Sequence, residues 1–414
     1  MKNDNLIITG ARIITPLGRK ARKGKDMNEL FDESGTIEVT DGKITYVGAD
    51  RPSLPAGYNV IHAEGKVVLP GFVDSHTHFV FGGYRPDEFI WRLNGDTYMS
   101  ILQRGGGILS TVKATREAGV RTLRSKAEWL INTMSRMGVT TVEGKSGYGL
   151  DRDTELKQLE VMQAINFAPT RKVDIVPTFL GAHAVPADYK GRADEYIDFL
   201  IDEMLPLVKK RMLAENCDIF CEQGVFTVEQ SRRLLKAAQE MGFGTKIHAD
   251  EIVSFGGAEL AGELHALSAD HLLHASDAGI RALADNDVVA TLLPLTAFTL
   301  REPYARGREM IDSGCAVALA TDLNPGSCNS GSIPLTFALA CIYMRFTVAE
   351  AITALTLNGA AAINRADSIG TIEVGKYGDL VMLNSDTPNV LPYYTGMNSV
   401  EKTIKRGRVV MKNN

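Results

Sequence analysis

The stretch PGFVDSHTHF, residues 70–79, decides how the rest of the chain is read. A short apolar run, Gly71 to Val73, gives way to the polar string Asp74-Ser75-His76-Thr77-His78. On an extended backbone, residues i and i+2 point to the same side. His76 and His78 can therefore face one cation together, and imidazole is a good ligand for zinc and for Fe(II). A His-x-His pair alone is a weak signal, because surface histidines also fall at that spacing. Its place after an apolar strand, at the head of a repeating pattern, gives it weight.

The pattern continues through 138–149, 172–184, 217–226, 244–251, 269–275, 288–295 and 316–326, each a short apolar run with strand character. Helix-like amphipathic segments lie between them, among them 153–167, 192–215, 227–241, 256–266, 276–285 and 303–313. Strands alternating with helices argue for parallel βα units. Eight units in about 300 residues predict an α/β fold, a (β/α)8 TIM-like barrel over residues 70–370. The structural alternative is a doubly wound open sheet. That fold normally carries a Gly-rich phosphate turn after its first strand, and none follows Val73.

The two ends have a different style. Residues 6–15, 36–48 and 58–68, and later 370–384 and 400–411, are rich in Ile, Val and Thr and broken by Gly or Asp-Gly turns. That is hairpin chemistry. Neither end is long enough for a comfortable core of its own. The expectation is one small β-sandwich domain made by both termini, residues 1–69 plus 371–414.

The ends of the apolar runs carry His76 and His78, Lys145 and Tyr148, His183, Glu222, His248 and Glu251, His271, and Asp322. In a barrel, the C-terminal ends of the strands form the active face. These residues would then converge from distant places in the chain. His76, His78, His248 and Asp322 would make a four-residue metal shell, suited to activating water. Asp322 could also take a proton from that water. The alternative for Asp322 is a helix N-cap at a βα loop, which Asp does well.

Composition narrows the class. Of 414 residues, 44% are hydrophobic and 23% charged, close to the globular average. That excludes a disordered chain, a collagen-like chain and a coiled coil. Lys+Arg is 45 and Asp+Glu is 50, a formal net charge of −5, which argues against an electrostatic nucleic-acid binder. The basic run RKARKGK at 19–25 reads as a solvated loop. Five cysteines without a CxxC pair argue against a disulfide framework or a zinc ribbon. No signal-peptide core is visible, nor any run of about 18 apolar residues. The expected compartment is the cytoplasm, with no membrane partner.

The string PGFVDSHTH, the two-ended β domain and Asp322 resemble the amidohydrolase superfamily. More narrowly, HTHFVFGGYR (76–85), VEGKSGYGL (142–150), GAHAVP (181–186), IHADE (247–251), ADHLLH (269–274) and TDLNPGS (321–327) resemble the imidazolonepropionase family. The resemblance runs from about residue 6 to residue 410. It implies hydrolytic opening of the 4-imidazolone-5-propanoate ring to N-formimidoyl-L-glutamate, the third step of histidine degradation. It implies His76, His78, His248 and Asp322 as metal ligands, usually for zinc and sometimes for iron. Binuclear members of the superfamily bridge two metals with a modified lysine on the fourth strand. The fourth run here, CDIFCEQGVF, has none, which favours one metal. Arg85, Tyr148, His183 and Glu251 fall at substrate positions of the family. Asn324, Gly326 and Ser327 match the loop that binds the product's glutamate part, and His271 matches a histidine near the reacting carbonyl. A homodimer is the expected assembly for a barrel of this type.

The residue chemistry suits those roles. A guanidinium can hold the propanoate carboxylate with two parallel hydrogen bonds; otherwise Arg85 is a surface salt bridge. Further donors could come from Asn324 and from the backbone of Gly326 and Ser327 in a turn. Glu251 could carry a proton to the departing ring nitrogen, or be a helix-start carboxylate. His271 could donate to the developing oxyanion, or simply pack. Tyr148 contacts substrate or packs under Arg85. Lys145 reads as a structural or substrate-side charge, and Glu222 as a partner that orients His248 or His183 or as half of a buried ion pair. Gly105–Gly107 marks a loop before a helix near 108–118, a lid or a plain linker. The main alternative function is a deaminase-type amidohydrolase acting on a cytosine- or guanine-like ring. Arg85 and the 324–327 loop separate the two, because they suit an acidic substrate rather than a neutral base. A non-catalytic scaffold would be expected to lose metal ligands, and this chain keeps all four.

Overall fold

A computed structural model describes residues 5–413 except 51–53, 97–99 and 101–103. The N-terminal part forms strands β1 (Leu6–Thr15), β2 (Phe31–Thr40), β3 (Lys43–Gly48), β4 (Asn59–His62) and β5 (Val67–Pro70). Gly71 alone separates β5 from β6 (Phe72–Asp74), the first barrel strand. Then come β7 (Val139–Lys145), β8 (Asp174–Ala182), β9 (Asn216–Cys221), β10 (Gly244–Ala249), β11 (Ser268–His271), β12 (Val289–Leu292) and β13 (Ala316–Leu319). The chain returns to the first sheet with β14 (Leu380–Leu383), β15 (Val400–Lys405) and β16 (Arg408–Lys412).

All eight apolar runs of the central segment hold a strand. β6 to β13 lie side by side in chain order as one eight-stranded sheet, each parallel to the next. Every residue of β7 is buried, as expected where helices cover one face of a parallel sheet and opposite strands cover the other. The seam between β13 and β6 closes just beyond the strand ends. There Thr77 bridges to Leu323, the amide of His78 donates to Leu323 O at 2.8 Å, and the amide of Asp322 donates to His76 O at 3.0 Å. Asp74 reinforces the seam by accepting from Thr321 N at 3.0 Å and from Thr321 Oγ1 at 2.6 Å. Barrel closure thus sets His76 and His78 beside Asp322.

The outer helices form for local reasons. Helix Val120–Arg136 buries Leu123, Ala127, Leu130, Ile131 and Met134, one stripe at helical spacing. Asp151 caps helix Arg152–Asn166 by accepting from Thr154 N at 2.7 Å. Thr227 and Gln230 form a reciprocal capping box on helix Val228–Glu240, which satisfies two first-turn amides. The segment 192–215 departs from a single helix. It is helix Ala193–Phe199, a π-turn over Leu200–Met204 and helix Leu205–Lys210. Pro206 has no amide hydrogen for Asp202, so the ladder cannot run straight through it.

Both termini do build one β unit around its own core, which includes Leu6, Ile8, Ile13, Ile37, Met382 and Ile404. Its strands are hydrogen-bonded as a single mixed sheet in the order β16-β15-β14-β5-β1-β2-β3, with β4 also on β1. Gly10, at φ 61°, lets β1 change neighbours. β1 pairs with β4 over Leu6–Thr9 and with β5 at Arg12 and Ile13. The five cysteines are free thiols. Among the described residues, no helix is long and apolar enough to cross a membrane.

Candidate metal centre and active site

His76 and His78 follow β6 on alternating positions, and the structure brings them together with His248 at the end of β10. One ring nitrogen from each lies within 4.8 Å of the other two. Nε2 of His78 is 3.3 Å from Nε2 of His76, and Asp322 Oδ1 is 3.6 Å from both. Nε2 of His248 has no hydrogen-bond partner among the described residues. Burial, reinforced by neighbouring cations, pushes the pKa of His76 and of His78 well below the usual imidazole range. Neutral rings with lone pairs converging on one carboxylate oxygen are the donor set a divalent cation takes. The four residues therefore fit the metal that the sequence implies.

Carboxylates behind the imidazoles aim them. His76 Nδ1 meets Asp270 Oδ2 at 2.6 Å. His248 Nδ1 stands 2.9 Å from Asp218 Oδ2, close but out of hydrogen-bond alignment. His76 is thus oriented as ligand histidines commonly are, with one nitrogen held so that the other faces the metal, and Asp218 stands in the matching place behind His248. Asp322 Oδ2 accepts from Thr296 Oγ1 at 2.7 Å, which leaves Oδ1 toward the rings. Burial raises the Asp322 carboxyl to about 6. Lys145 is fully buried beneath this layer, 2.6 Å from Asp218 Oδ2 and 3.0 Å from Glu143 Oε2. Of the two roles its position in sequence allowed, it has the interior one.

Asp218, Asp270, Thr296 and Lys246 escape a reading of strand ends alone. The signal for Asp218 and Asp270 was a charged residue inside an apolar strand, an expensive placement unless it is paired.

Glu251 sits in a loop pinned from both sides. Asp250, in the left-handed conformation at φ 51°, accepts from the amides of Phe255 at 2.7 Å, Gly256 at 3.0 Å and Ala258 at 3.0 Å. Glu222 Oε2 accepts from Ile252 N at 2.8 Å, and its other oxygen from Gln223 N at 2.9 Å. Among the described residues, Glu222 thus holds backbone rather than orienting His248 or His183 or closing an ion pair. Glu251 Oε2 lies 3.5 Å from His271 Nε2. Burial, with Asp322 and Glu222 nearby, raises the Glu251 carboxyl to about 8. Burial also keeps His271 neutral, well below the usual range. His271 and Asp322 are themselves left-handed, at φ 76° and 53°, a conformation that non-glycine residues hold only where surroundings enforce it.

On the other flank, His183 stacks on His78 at 5.0 Å between ring centres, and its Nδ1 meets Gly147 O at 3.0 Å. Tyr148 is 5.2 Å from His183 and 5.9 Å from His78, ring to ring. Both residues feel the positive charge of Arg85. Arg85 is mostly buried and 3.5 Å from Glu88, and its Nε has no partner among the described residues. Its guanidinium lies on Gly326 so closely that an added Cβ there would sit 1.9 Å from Nη2.

The 324–327 loop is internally tied. Asn324 Oδ1 accepts from the amides of Gly326 and Ser327, each at 2.8 Å. Asn324 Nδ2 donates to Asp322 O and to Ser327 Oγ, each at 2.8 Å. The loop therefore braces Asp322 and presents a bare backbone to Arg85. Gly107 N donates to Glu88 at 3.0 Å, which links the glycine loop before helix Ile108–Glu117 to the Arg85 segment. A cavity of about 460 Å³ at the opposite end of the barrel, lined by Arg171, Asp174, Glu215, Arg365 and Arg406, is far from this chemistry. Its charges are paired with one another.

The chain matches the Amidohydrolase family over residues 67–410 and belongs to it. Its relatives narrow the placement. It is 75% identical over 413 residues to an imidazolonepropionase of Phocaeicola vulgatus, covering 99% of this chain and 100% of that protein. It is 68% identical over 410 residues to an imidazolonepropionase of Bacteroides thetaiotaomicron, covering 98% of each. Within the amidohydrolases, the chain is a member of the imidazolonepropionase family. Among solved structures, 5-methylcytosine deaminase from Klebsiella pneumoniae liganded with 5-fluorocytosine superposes with a TM-score of 0.74. The identity there is 17%, with 99% of this chain and 98% of that one covered, a likeness of fold alone.

Proposed function

We propose that the chain hydrolyses the ring C–N bond of 4-imidazolone-5-propanoate, giving N-formimidoyl-L-glutamate in histidine degradation. The observation that carries this reading is the meeting of two features at one barrel end. One is the cluster His76, His78, His248 and Asp322. The other is the mostly buried Arg85 guanidinium on the bare backbone of Gly326. A neutral base has no use for that guanidinium, so the deaminase alternative loses ground.

A divalent metal held by the cluster, proposed as one Zn2+ per chain with Fe2+ as the alternative, supplies Lewis acidity and a more acidic water. Arg85 grips the propanoate carboxylate. Tyr148 and His183 wall the ring between Arg85 and His78. Asp322, whose Oδ1 faces His76 and His78, takes a proton from the attacking water. The water oxygen adds to the ring carbonyl carbon. His271, a neutral imidazole with one N–H, donates to the oxygen as charge builds on it. The C–N bond then breaks, and the former carbonyl carbon ends as a carboxylate. Glu251, protonated at neutral pH with its carboxyl near 8, supplies the proton that the departing ring nitrogen needs. Asn324, Gly326 and Ser327 form the loop against which the product's glutamate part rests.

The same proposal divides the chain into 1–69 plus 371–414 and 70–370, and has it act in the cytoplasm as a homodimer. Exposed Ile342, Tyr343 and Tyr393 are apolar side chains such a pairing would cover.

The test is turnover of 4-imidazolone-5-propanoate by purified protein, with metal quantified and His248→Ala alongside. Loss of ring absorbance with formimidoylglutamate appearing, only in the metal-loaded wild type, is the expected result. A metal-loaded protein without turnover on this substrate would overturn the substrate assignment, and cyclic amides and aminopyrimidines would be tried next.

A further inference from the structure

We propose that Lys145 is a positioning residue for the metal shell, acting through Asp218 and Asp270 on His248 and His76. The inference rests on the metal reading given above and adds a residue that never meets substrate. Lys145 Nζ is 2.6 Å from Asp218 Oδ2 and 3.6 Å from Asp270 Oδ2. Those two oxygens are the ones that face the imidazoles, Asp218 Oδ2 at 2.9 Å from His248 Nδ1 and Asp270 Oδ2 at 2.6 Å from His76 Nδ1. One ammonium therefore stands between the two carboxylates that aim two ligands.

The placement follows from barrel geometry. Lys145 ends β7, Asp218 lies in β9 and Asp270 in β11. Alternate strands contribute the side chains of one interior layer, which branched aliphatic residues usually fill. Here that layer is ionic, and all three side chains are fully buried. Asp218 Oδ1 accepts from Ile219 N at 2.8 Å and Asp270 Oδ1 from Ser268 Oγ at 2.6 Å, so each carboxylate is fixed at its far oxygen. Lys145 meets the other oxygen of each, the one toward the histidine, and balances its buried charge there.

His76, Glu143 and Asp270 form a second group of close ligand atoms. It is already served by cations of the chain itself. Lys145 Nζ is 3.0 Å from Glu143, and Lys246 Nζ is 3.4 Å from Glu143 and 3.4 Å from Asp270. The two lysines differ in one respect that the test can use. Lys145 touches Asp218, whereas among the described residues Lys246 reaches Glu143, Asp270 and the carbonyls of Ser75 and Ala362.

The experiment measures Zn2+ affinity of full-length apoprotein by competition with a chromophoric chelator, on variants whose circular dichroism matches wild type. Lys145→Met is expected to weaken binding about 10- to 100-fold, the range typical of lost outer-shell partners. Lys145→Arg is expected to recover most of that loss. Lys246→Met, which removes an equally buried charge, is expected to weaken binding less than Lys145→Met does. Wild-type affinity in folded Lys145→Met, or equal losses in the two lysine variants, would overturn the proposal.

If Lys145→Met does not fold, Lys145→Met/Asp218→Asn removes one charge of each sign and carries the test. Its affinity should fall close to that of Asp218→Asn alone, since most of the lysine's effect passes through that carboxylate. A further large loss in the double variant counts against the proposal. His248→Ala separates the two levels. Undiminished Zn2+ affinity in that variant would sink the metal reading itself, whereas lost affinity there with none lost in Lys145→Met would sink only the role of Lys145.

Discussion

Arg85 and Gly326 share one space: the guanidinium occupies the volume that any side chain at position 326 would claim, with Nη2 1.9 Å from where its Cβ would sit. Gly326→Ala should therefore act through Arg85. A hydrogen bond to a charged group contributes about 1.5–3 kcal/mol, so losing that grip should raise KM by roughly 10- to 100-fold. Arg85→Ala should do the same, with kcat changed less than KM in both. Steady-state kinetics on 4-imidazolone-5-propanoate decides. An unchanged KM in Arg85→Ala would show that the carboxylate is held elsewhere.

Asp322→Asn keeps the shape of the side chain and can still accept from Thr296 Oγ1, which now lies 2.7 Å from Oδ2. The barrel seam should survive, since its bonds use the backbone of Asp322 and the side chain of Asp74. Turnover should fall by about 10²–10⁴-fold, the usual weight of a positioned acid or base. Rapid-quench kinetics with added metal, beside a thermal melt, separates this from unfolding.

Glu251 predicts a pH effect with a definite sign. Its carboxyl rises from 4.5 to about 8 in the folded chain, so the folded state holds the proton more tightly than the unfolded one. That contribution to stability is complete below the unfolded value and is lost as pH rises through about 8. The melting temperature of apo wild type should drop relative to Glu251→Gln between pH 5 and pH 9. The alkaline limb of kcat should vanish in the same variant, whose residual rate should be low and keep only the acid limb set by Asp322. Parallel melting curves across this pH range would contradict the buried, proton-holding carboxyl.

Asp250 should matter as much as some residues nearer the chemistry. Its carboxylate gathers amides of the 255–258 turn at the start of helix Gly257–Glu263. Asp250→Ala should cost about 0.5–2 kcal/mol, as loss of a helix cap does. It should also lower kcat, because Glu251 would no longer be fixed near His271. Denaturant unfolding and kcat measured together check both, and a stability loss with full kcat would limit Asp250 to capping.

The barrel was legible because parallel strands buried on both faces must be apolar runs, and site residues must sit where those runs end. His76, His248 and Asp322 obey that rule. Asp218 and Asp270 do not, because they lie within strands and make sense only beside Lys145 and the histidines, which are distant in sequence. Glu222 sits at a strand end but spends its oxygens on the amides of Ile252 and Gln223. Side-chain bonds to backbone leave no pattern in residue types. The break at Pro206 was visible as a residue, but its outcome, a π-turn rather than a stop, depended on packing.

Strand β5 pairs with β14, and the whole barrel lies between them in the chain. A ribosome adding about 5–20 residues per second needs on the order of 15–60 s to pass from one to the other. Throughout that interval β5 has an unsatisfied edge, a ready template for the wrong partner. The newborn chain must keep that edge shielded until its last strands emerge, and a message truncated before β14 would release a protein whose first sheet can never be finished.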